Sequence, residues 1–414
     1  MKNLDVIVVG AGISGLCCAR QLKALGLTCL ILESDTVIGG RVRTDQVDGF
    51  LLDRGFQVFL TAYPEALRIL DYEKLKLKYF APGTLIRSSG KVYSFYDPLR
   101  SPLKLFDSLF NPIGSFTDKV KIAYLKHRVM NGDYQRFFKP TKLSTIELLR
   151  QLGFTEKIIK EFFKPFFGGI FLENELSTTS GMFEFVFRMF SQGSATLPYE
   201  GMSALPAQLA SSLPSEWIQT ERPVHSIKNN SVLLKSGEAL HAKAVVLATP
   251  SHVTEKFLGL APKNGRRVTC LYYDAPTAPI KEPVLMLNGD SHGPINNICV
   301  PSQINSNYAP KNSNLISATV LGGMTKDLEQ QVRLQLKSWF GQQTSAWSLI
   351  RTYDINHALP IIPSFFELDN QHQVSDSLFA CGDYLSSPSL QGAMVSGRIT
   401  ANAVASFLGH HISE

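Results

Sequence analysis

Several things are scarce in this chain, and each scarcity narrows the field. No window reaches the ~18 consecutive apolar residues that a membrane-spanning helix needs, so no helical span is expected. Cysteine is sparse: six residues, at 17, 18, 29, 270, 299 and 381, none at CxxC or another metal-ligand spacing. A disulfide framework and a metal centre are therefore not expected, and buried thiols in a reducing compartment are. The opening Met-Lys-Asn-Leu-Asp has no charged, apolar and small-residue regions of a secretory leader, which makes the cytoplasm the expected location. The net charge of +6 is small and no nucleic-acid-binding motif accompanies it, so nucleic acid is not an expected partner. Low-complexity linkers and internal repeats are also missing. What remains is an ordinary globular composition, 44% hydrophobic and 18% charged, long enough for about two to three domains.

The first ten residues end in "VIVVG", an apolar, valine-rich run of the kind that forms a buried parallel strand. Glycines follow at 10, 12 and 15, then a helical stretch through "LCCARQLKALG", then a second strand, "TCLILE", ending at Glu33. This is a βαβ unit with a dinucleotide fingerprint. Gly10 makes the turn, and Gly12 lets backbone approach a pyrophosphate. Ile13 and Ser14 open the helix whose N-terminus faces the anion, and Gly15 allows close helix–strand packing. Glu33, with Ser34 beside it, stands where a carboxylate accepts hydrogen bonds from an adenosine ribose, and its charge opposes a 2′-phosphate. The unit alone does not separate NAD from FAD, because the two share their ADP half.

The next segment does. "GGRVRT" (39–44) follows the second strand, and here the sequence resembles the flavin-containing amine oxidase superfamily, with protoporphyrinogen oxidases and phytoene desaturases among its branches. The resemblance implies that Gly39 and Gly40 admit close backbone approach, with Arg41 near the pyrophosphate and flavin and Thr44 completing the motif. "LLDRGFQVF" (51–59) resembles the strand running past the flavin ring, which makes Gly55, Phe56 and Gln57 candidates near the isoalloxazine. "ERPVHSI" (221–227) resembles the strand whose valine backbone meets the adenine, here Val224. Near the far end, "LFACGDYLSSPSLQGAMVSGRITANAVASFL" leads a short strand into Gly382-Asp383, then a polar loop and a helix rich in small side chains. Such a helix lies close to a flat ring, and its N-terminus stabilises negative charge on a reduced flavin. The resemblance places Asp383 by the ribityl and phosphate region, and Gln391, Gly392, Ala393 and Met394 at the ring.

Together these features imply an α/β protein: a discontinuous Rossmann-like FAD-binding domain (1–60, 221–262, 356–414) with an inserted mixed α+β substrate domain. The first insert (61–220) reads as mainly helical and the second (263–355) as rich in strands. Non-covalent FAD is the expected cofactor, since no flavin-tethering cysteine motif precedes "HALP" (357–360). The resemblance implies an FAD-dependent oxidoreductase that oxidises a C–N or C–C bond of a largely apolar small molecule by hydride transfer to flavin N5, with oxygen, a quinone or another electron acceptor. No aromatic residue stands in 386–391 to form half of an amine cage, and ten phenylalanines fall between 154 and 190. Both favour a porphyrinogen- or polyene-like molecule over a small amine. A true amine oxidase, a flavin isomerase without net redox change and a non-catalytic FAD scaffold are the alternatives. No catalytic residue is assigned. Lys281 reads as a surface lysine or the lysine that holds water near N5, His357 as structural or flavin-facing, and Cys381 as an inert or a redox thiol. Residues 119–164 hold eleven Lys or Arg against four acids, read either as a solvated face or as a peripheral membrane contact.

Overall fold

The computed structural model describes residues 4–97, 100–101, 111–139, 141–228, 230–361 and 372–410. The expected C-terminal FAD segment thus includes residues 362–371 and 411–414, which lie outside the described residues.

The expected βαβ unit opens the chain. Strand β1 (Val6–Val9) is followed by helix α1 (Ile13–Ala24) and strand β2 (Cys29–Leu32), with every residue of both strands buried. Continuous apolar character is what a strand covered on both faces requires. The chain then leaves this layer. Two antiparallel strands, Thr44–Val47 and Phe50–Asp53, lead to helices Pro64–Ile69 and Tyr72–Leu75. Further on stands α2 (Phe116–Met130), whose N-terminus is closed by a reciprocal cap between Ser115 and Asp118. The chain returns as strand β3 (Ala244–Leu247), leaves again, and finishes with strand β4 (Leu378–Ala380) and helix α3 (Leu390–Phe407).

Among the described residues the first sheet has six strands, in the order 218–219, β2, β1, β3, β4, 373–375. The core pairings are parallel: Val6 lies opposite both Cys29 and Ala244, and Val245 opposite Leu378. Strands from both ends of the sequence therefore share one layer. α1 and α3 pack against each other at Gly397, where an added Cβ would overlap the Ser14 carbonyl oxygen and reach Cys17 Cβ at 3.0 Å. Small residues at that crossing permit the contact.

The second sheet has seven strands, in the order 348–360, 265–275, 314–321, 295–299, 285–288, 83–88, 91–96. Helix Leu328–Phe340 covers one face through Leu328, Val332 and Leu336. Two differences from the sequence reading matter here. Residues 83–96, inside the insert read as mainly helical, form a hairpin that extends this sheet by parallel pairing with 285–288. The strand Ser348–Pro360 runs across the boundary expected at 355/356 and pairs with 265–275.

Candidate functional site

The crevice begins where β1 ends. Gly10 turns the chain with φ +109°, and an added Cβ would meet the Ala248 carbonyl oxygen at 2.8 Å. Its amide donates to the Leu32 carbonyl at 2.8 Å, which ties the turn to β2. Gly12 caps α1 without any side-chain hydrogen bond, and no acid lies in the first turn. The amides of Ile13, Ser14 and Gly15 thus lack an intrahelical acceptor. Above them the space is open: a Cβ built on Gly12 meets nothing within 4 Å, and one on Gly40 meets only Gly12 Cα, at 3.5 Å. Gly39 pairs with Gly12, its amide donating to the Ala11 carbonyl at 2.9 Å. Two glycine segments therefore face each other with no side chains between them, beside helix amides that lack an intrahelical acceptor. This is an anion cradle by construction.

Glu33 sits at one end of that cradle, buried at 8% exposure. Its carboxylate accepts from the Ala11 amide at 2.8 Å, the Asp35 amide at 3.0 Å and the Ser34 hydroxyl at 3.1 Å. A carboxylate has about four acceptor positions, so one remains for a hydroxyl. The segment carrying Val224 adjoins this end. Glu221 donates its amide to the Asp35 carbonyl, and Arg222 to that of Glu33. Val224 itself is half-buried at the start of the strand Val224–Lys228.

At the other end, Arg41 reaches across to the C-terminal segment. Its guanidinium grips Asp383 with two bonds, of 2.9 and 2.6 Å, and donates to the Ala358 carbonyl at 3.0 Å. Burial alone would lower the Arg41 pKa, but the Asp383 charge outweighs it and holds the group protonated. Gln57 braces the same turn by donating to the carbonyls of Arg41 and Arg54, each at 3.0 Å. His357 stacks on His252 with ring centroids 3.7 Å apart, next to the Ala358 carbonyl that holds Arg41. Burial, the neighbouring His357 and nearby cations push the His252 imidazole below its usual pKa.

Gly55 takes φ +83° beneath Ile355, whose Cδ1 would lie 3.0 Å from an added Cβ. Phe56 is half-buried and meets Phe80 edge-on at 6.4 Å. Val268 and Ile355 lie against Gly55 and Phe80 against Phe56, while Arg54 in the same turn pairs with Asp45. Of the ten phenylalanines, Phe154, Phe162, Phe163, Phe167, Phe171, Phe183 and Phe185 are buried core. Phe166, Phe187 and Phe190 are half-buried. Lys281 is exposed, in the loop between strands 265–275 and 285–288. Cys381, like the other five cysteines, is a buried free thiol; its contact with Cys18 and its burial hold it well above the usual thiol pKa.

The C-terminal helix departs from the sequence reading in detail. The Gly392 amide is already bound by Ser389 Oγ at 3.0 Å, which leaves the Leu390 and Gln391 amides without an intrahelical acceptor. The Gln391 side chain is committed to the Glu65 amide at 2.9 Å, and so holds α3 to the helix Pro64–Ile69. Met394 is fully enclosed and Ala393 nearly so. Gly382 donates to Ser396 Oγ at 3.0 Å, and its missing Cβ leaves room for the Tyr384 ring. The Tyr384 hydroxyl bonds Thr254 Oγ1 at 3.0 Å.

The sequence reading missed one organising residue. Asp53 is buried at 3% exposure. It accepts from Thr44 Oγ1 at 2.6 Å, the Met202 amide at 3.0 Å and the Tyr308 hydroxyl at 2.7 Å, while Tyr272 bonds its carbonyl. It thus ties the end of the glycine–arginine motif to the insert and to the second sheet. The available signal was an acid in an otherwise apolar strand, "FLLD". Burial lifts its carboxyl from 3.8 to about 6, against the three bonds that lower it. The folded state therefore favours the protonated form, a contribution that is complete below the unfolded value and lost as pH rises through about 6. Asp53→Asn cannot ionise and is expected to be more stable than wild type at weakly alkaline pH, by at most about 3 kcal/mol. The difference should shrink as pH falls below about 6. Thermal unfolding of both proteins across that range checks this, and a pH-independent difference would refute it.

With this geometry in view, the sequence matches the family described as "Flavin containing amine oxidoreductase" over residues 13–405. The chain belongs to that family. The family is described by its flavin and its oxidoreductase chemistry. The chain is 30% identical over 163 residues to a coproporphyrinogen III oxidase of Propionibacterium freudenreichii subsp. freudenreichii, covering 34% of this chain and 31% of that protein. It is 29% identical over 172 residues to protoporphyrinogen oxidase 2 of Arabidopsis thaliana, covering 40% of this chain and 32% of the other. The matches therefore span about a third of these relatives. Cyclohexylamine oxidase from Brevibacterium oxydans IH-35A superimposes with a TM-score of 0.71 at 15% identity, over 98% of this chain and all of the other, which speaks for the shared FAD-binding fold.

Proposed function

We propose that this flavoprotein oxidises a C–N or C–C bond of a largely apolar small molecule, with a porphyrinogen- or polyene-like substrate favoured over a small amine. The observation that carries the cofactor assignment is the open, side-chain-free cradle between Gly12 and Gly40, lined by unpartnered helix amides. In this reading Gly10, Gly12, Ile13, Ser14, Gly15, Gly39 and Gly40 hold the pyrophosphate of non-covalent FAD. Glu33 and Ser34 take the ribose, and Val224 lies by the adenine. Arg41 and Asp383 steady the centre, while Gly55, Phe56, Gln57, Gly382 and the backbone of residues 391–394 flank the ring. Bound flavin supplies a hydride acceptor at N5. The chain supplies orientation, a dry pocket and the dipole at the start of α3. The apolar surroundings of Gly55 and Phe56, with Val268, Ile355 and Phe80 close by, support an apolar substrate. No aromatic residue stands between Ser386 and Gln391, ahead of α3, which weighs against an amine cage.

The test is anaerobic bleaching of the purified protein's flavin by a panel of porphyrinogens, polyenes and primary amines, followed by reoxidation with oxygen or a quinone. Bleaching by a porphyrinogen or polyene is the expected result. Bleaching by simple amines alone would overturn the substrate assignment, and turnover without any acceptor would replace oxidation by isomerisation.

A further inference from the structure

Helix α2 presents an unusual outer face. Phe116, Val120 and Tyr124, spaced by four residues, are 67%, 55% and 58% exposed, and Met130 extends the same side. The opposite side is ordinary core, through Leu125 and Val129. Residues four apart share a helix face, so the exposed apolar side chains form one stripe.

Cations border that stripe on both edges, Lys119 and Lys126 on one and Lys121 and Arg128 on the other. Lys126 and Arg128 are paired, with Asp97 and Glu184 at 2.6 and 2.8 Å. Lys121 instead donates to the neutral Gly153 carbonyl. Lys119 donates to the Asn111 carbonyl and Oδ1 at 2.8 and 3.3 Å; burial and the charge of the exposed Lys157 nearby depress its ammonium. The surrounding segment, 119–164, carries an excess of basic over acidic residues larger than the net charge of the whole chain.

We propose that α2 docks on an anionic bilayer, its Phe116–Val120–Tyr124 stripe entering the headgroup boundary while Lys121 and the exposed Lys157 face lipid phosphates. Charge complementarity selects this occupant. A second copy of the chain, meeting α2 through a two-fold interface, would set the same cations against each other. The docking is independent of which substrate the flavin oxidises.

The experiment is co-sedimentation of the flavin-loaded protein with vesicles of phosphatidylcholine and phosphatidylglycerol. Replacing phosphatidylglycerol by phosphatidylcholine, or introducing F116S, V120S and Y124S together, is expected to weaken binding about tenfold. K157E is expected to weaken it about fivefold or more, and added salt to do likewise. All these side chains are exposed, so the variants should keep wild-type flavin content and melting temperature, and those two readings accompany each measurement. Equal binding to neutral and anionic vesicles would overturn the proposal. So would a triple-serine variant that binds like wild type, or a soluble dimer that the triple variant dissociates.

Discussion

Gly15→Ala is expected to yield a protein that no longer retains flavin and is destabilised by about 3 kcal/mol or more. The added methyl would overlap the Gly10 carbonyl oxygen and press on Ala248 Cβ at 3.1 Å. Relief would require α1 to move away from the sheet. That movement is resisted, because α3 packs closely along α1 at Gly397. The strain must then fall on the turn that shapes the cradle. Gly12→Ala makes the informative contrast. Its methyl meets nothing within 4 Å, so the fold should keep its stability within about 1 kcal/mol of wild type. It would nevertheless occupy the space above the helix amides and weaken flavin binding. Thermal unfolding and the visible flavin band, measured on both variants, separate packing from binding. A Gly12→Ala protein with a full flavin complement would show that the phosphates lie elsewhere.

The contrast also marks what could be read from sequence. Gly10, Gly12 and Gly15 sit within one βαβ unit, where strand, turn and helix are contiguous, so local pattern carries the geometry. The strand-rich character of 263–355 was also legible, because a buried strand in the middle of a sheet, such as 314–321, is apolar along most of its length. Less was legible at the sheet's edges. Ser348–Pro360 is the outermost strand of its sheet and is half-exposed or exposed throughout, so no apolar alternation announces it. The hairpin 83–96 carried a signal, "SSG" between two alternating runs, but it lies among helical segments that dominated the reading. Within the insert read as mainly helical, 64–75 is two short helices, and Asp71, whose side chain caps the Lys74 amide, marks the fresh start.

The candidate site was legible as a set of parts and not as an assembly. Each motif could be placed because its residue types are restrictive. The Gln391 side chain could not, since its partner is a backbone amide 326 residues away. Asp53 was passed over for the same reason: Tyr308 lies 255 residues further on. Partners at such separations are set by topology, and a single sequence holds no local trace of them.

The second large effect concerns another such long-range contact, the Arg41–Asp383 pair, 342 residues apart in sequence. Asp383 is 6% exposed and Arg41 35%. Arg41→Ala would leave the Asp383 carboxylate buried without its cation, and the Ala358 carbonyl without its donor. The expected cost is about 2–3 kcal/mol, less than for a fully enclosed pair because water reaches one side of the guanidinium. Asp383→Ala leaves a cation with more access to solvent and should cost less. If the pair acts as a unit, the double variant will be no less stable than Arg41→Ala alone, since removing the stranded acid removes the penalty. All three variants should lose flavin, because each opens the only described side-chain link between the glycine–arginine turn and the Gly382-Asp383 turn. Denaturant unfolding of the four proteins gives the coupling directly. Additive losses would mean that the two residues act separately, and that the two ends of the chain are held together by the sheet and the α1–α3 contact alone.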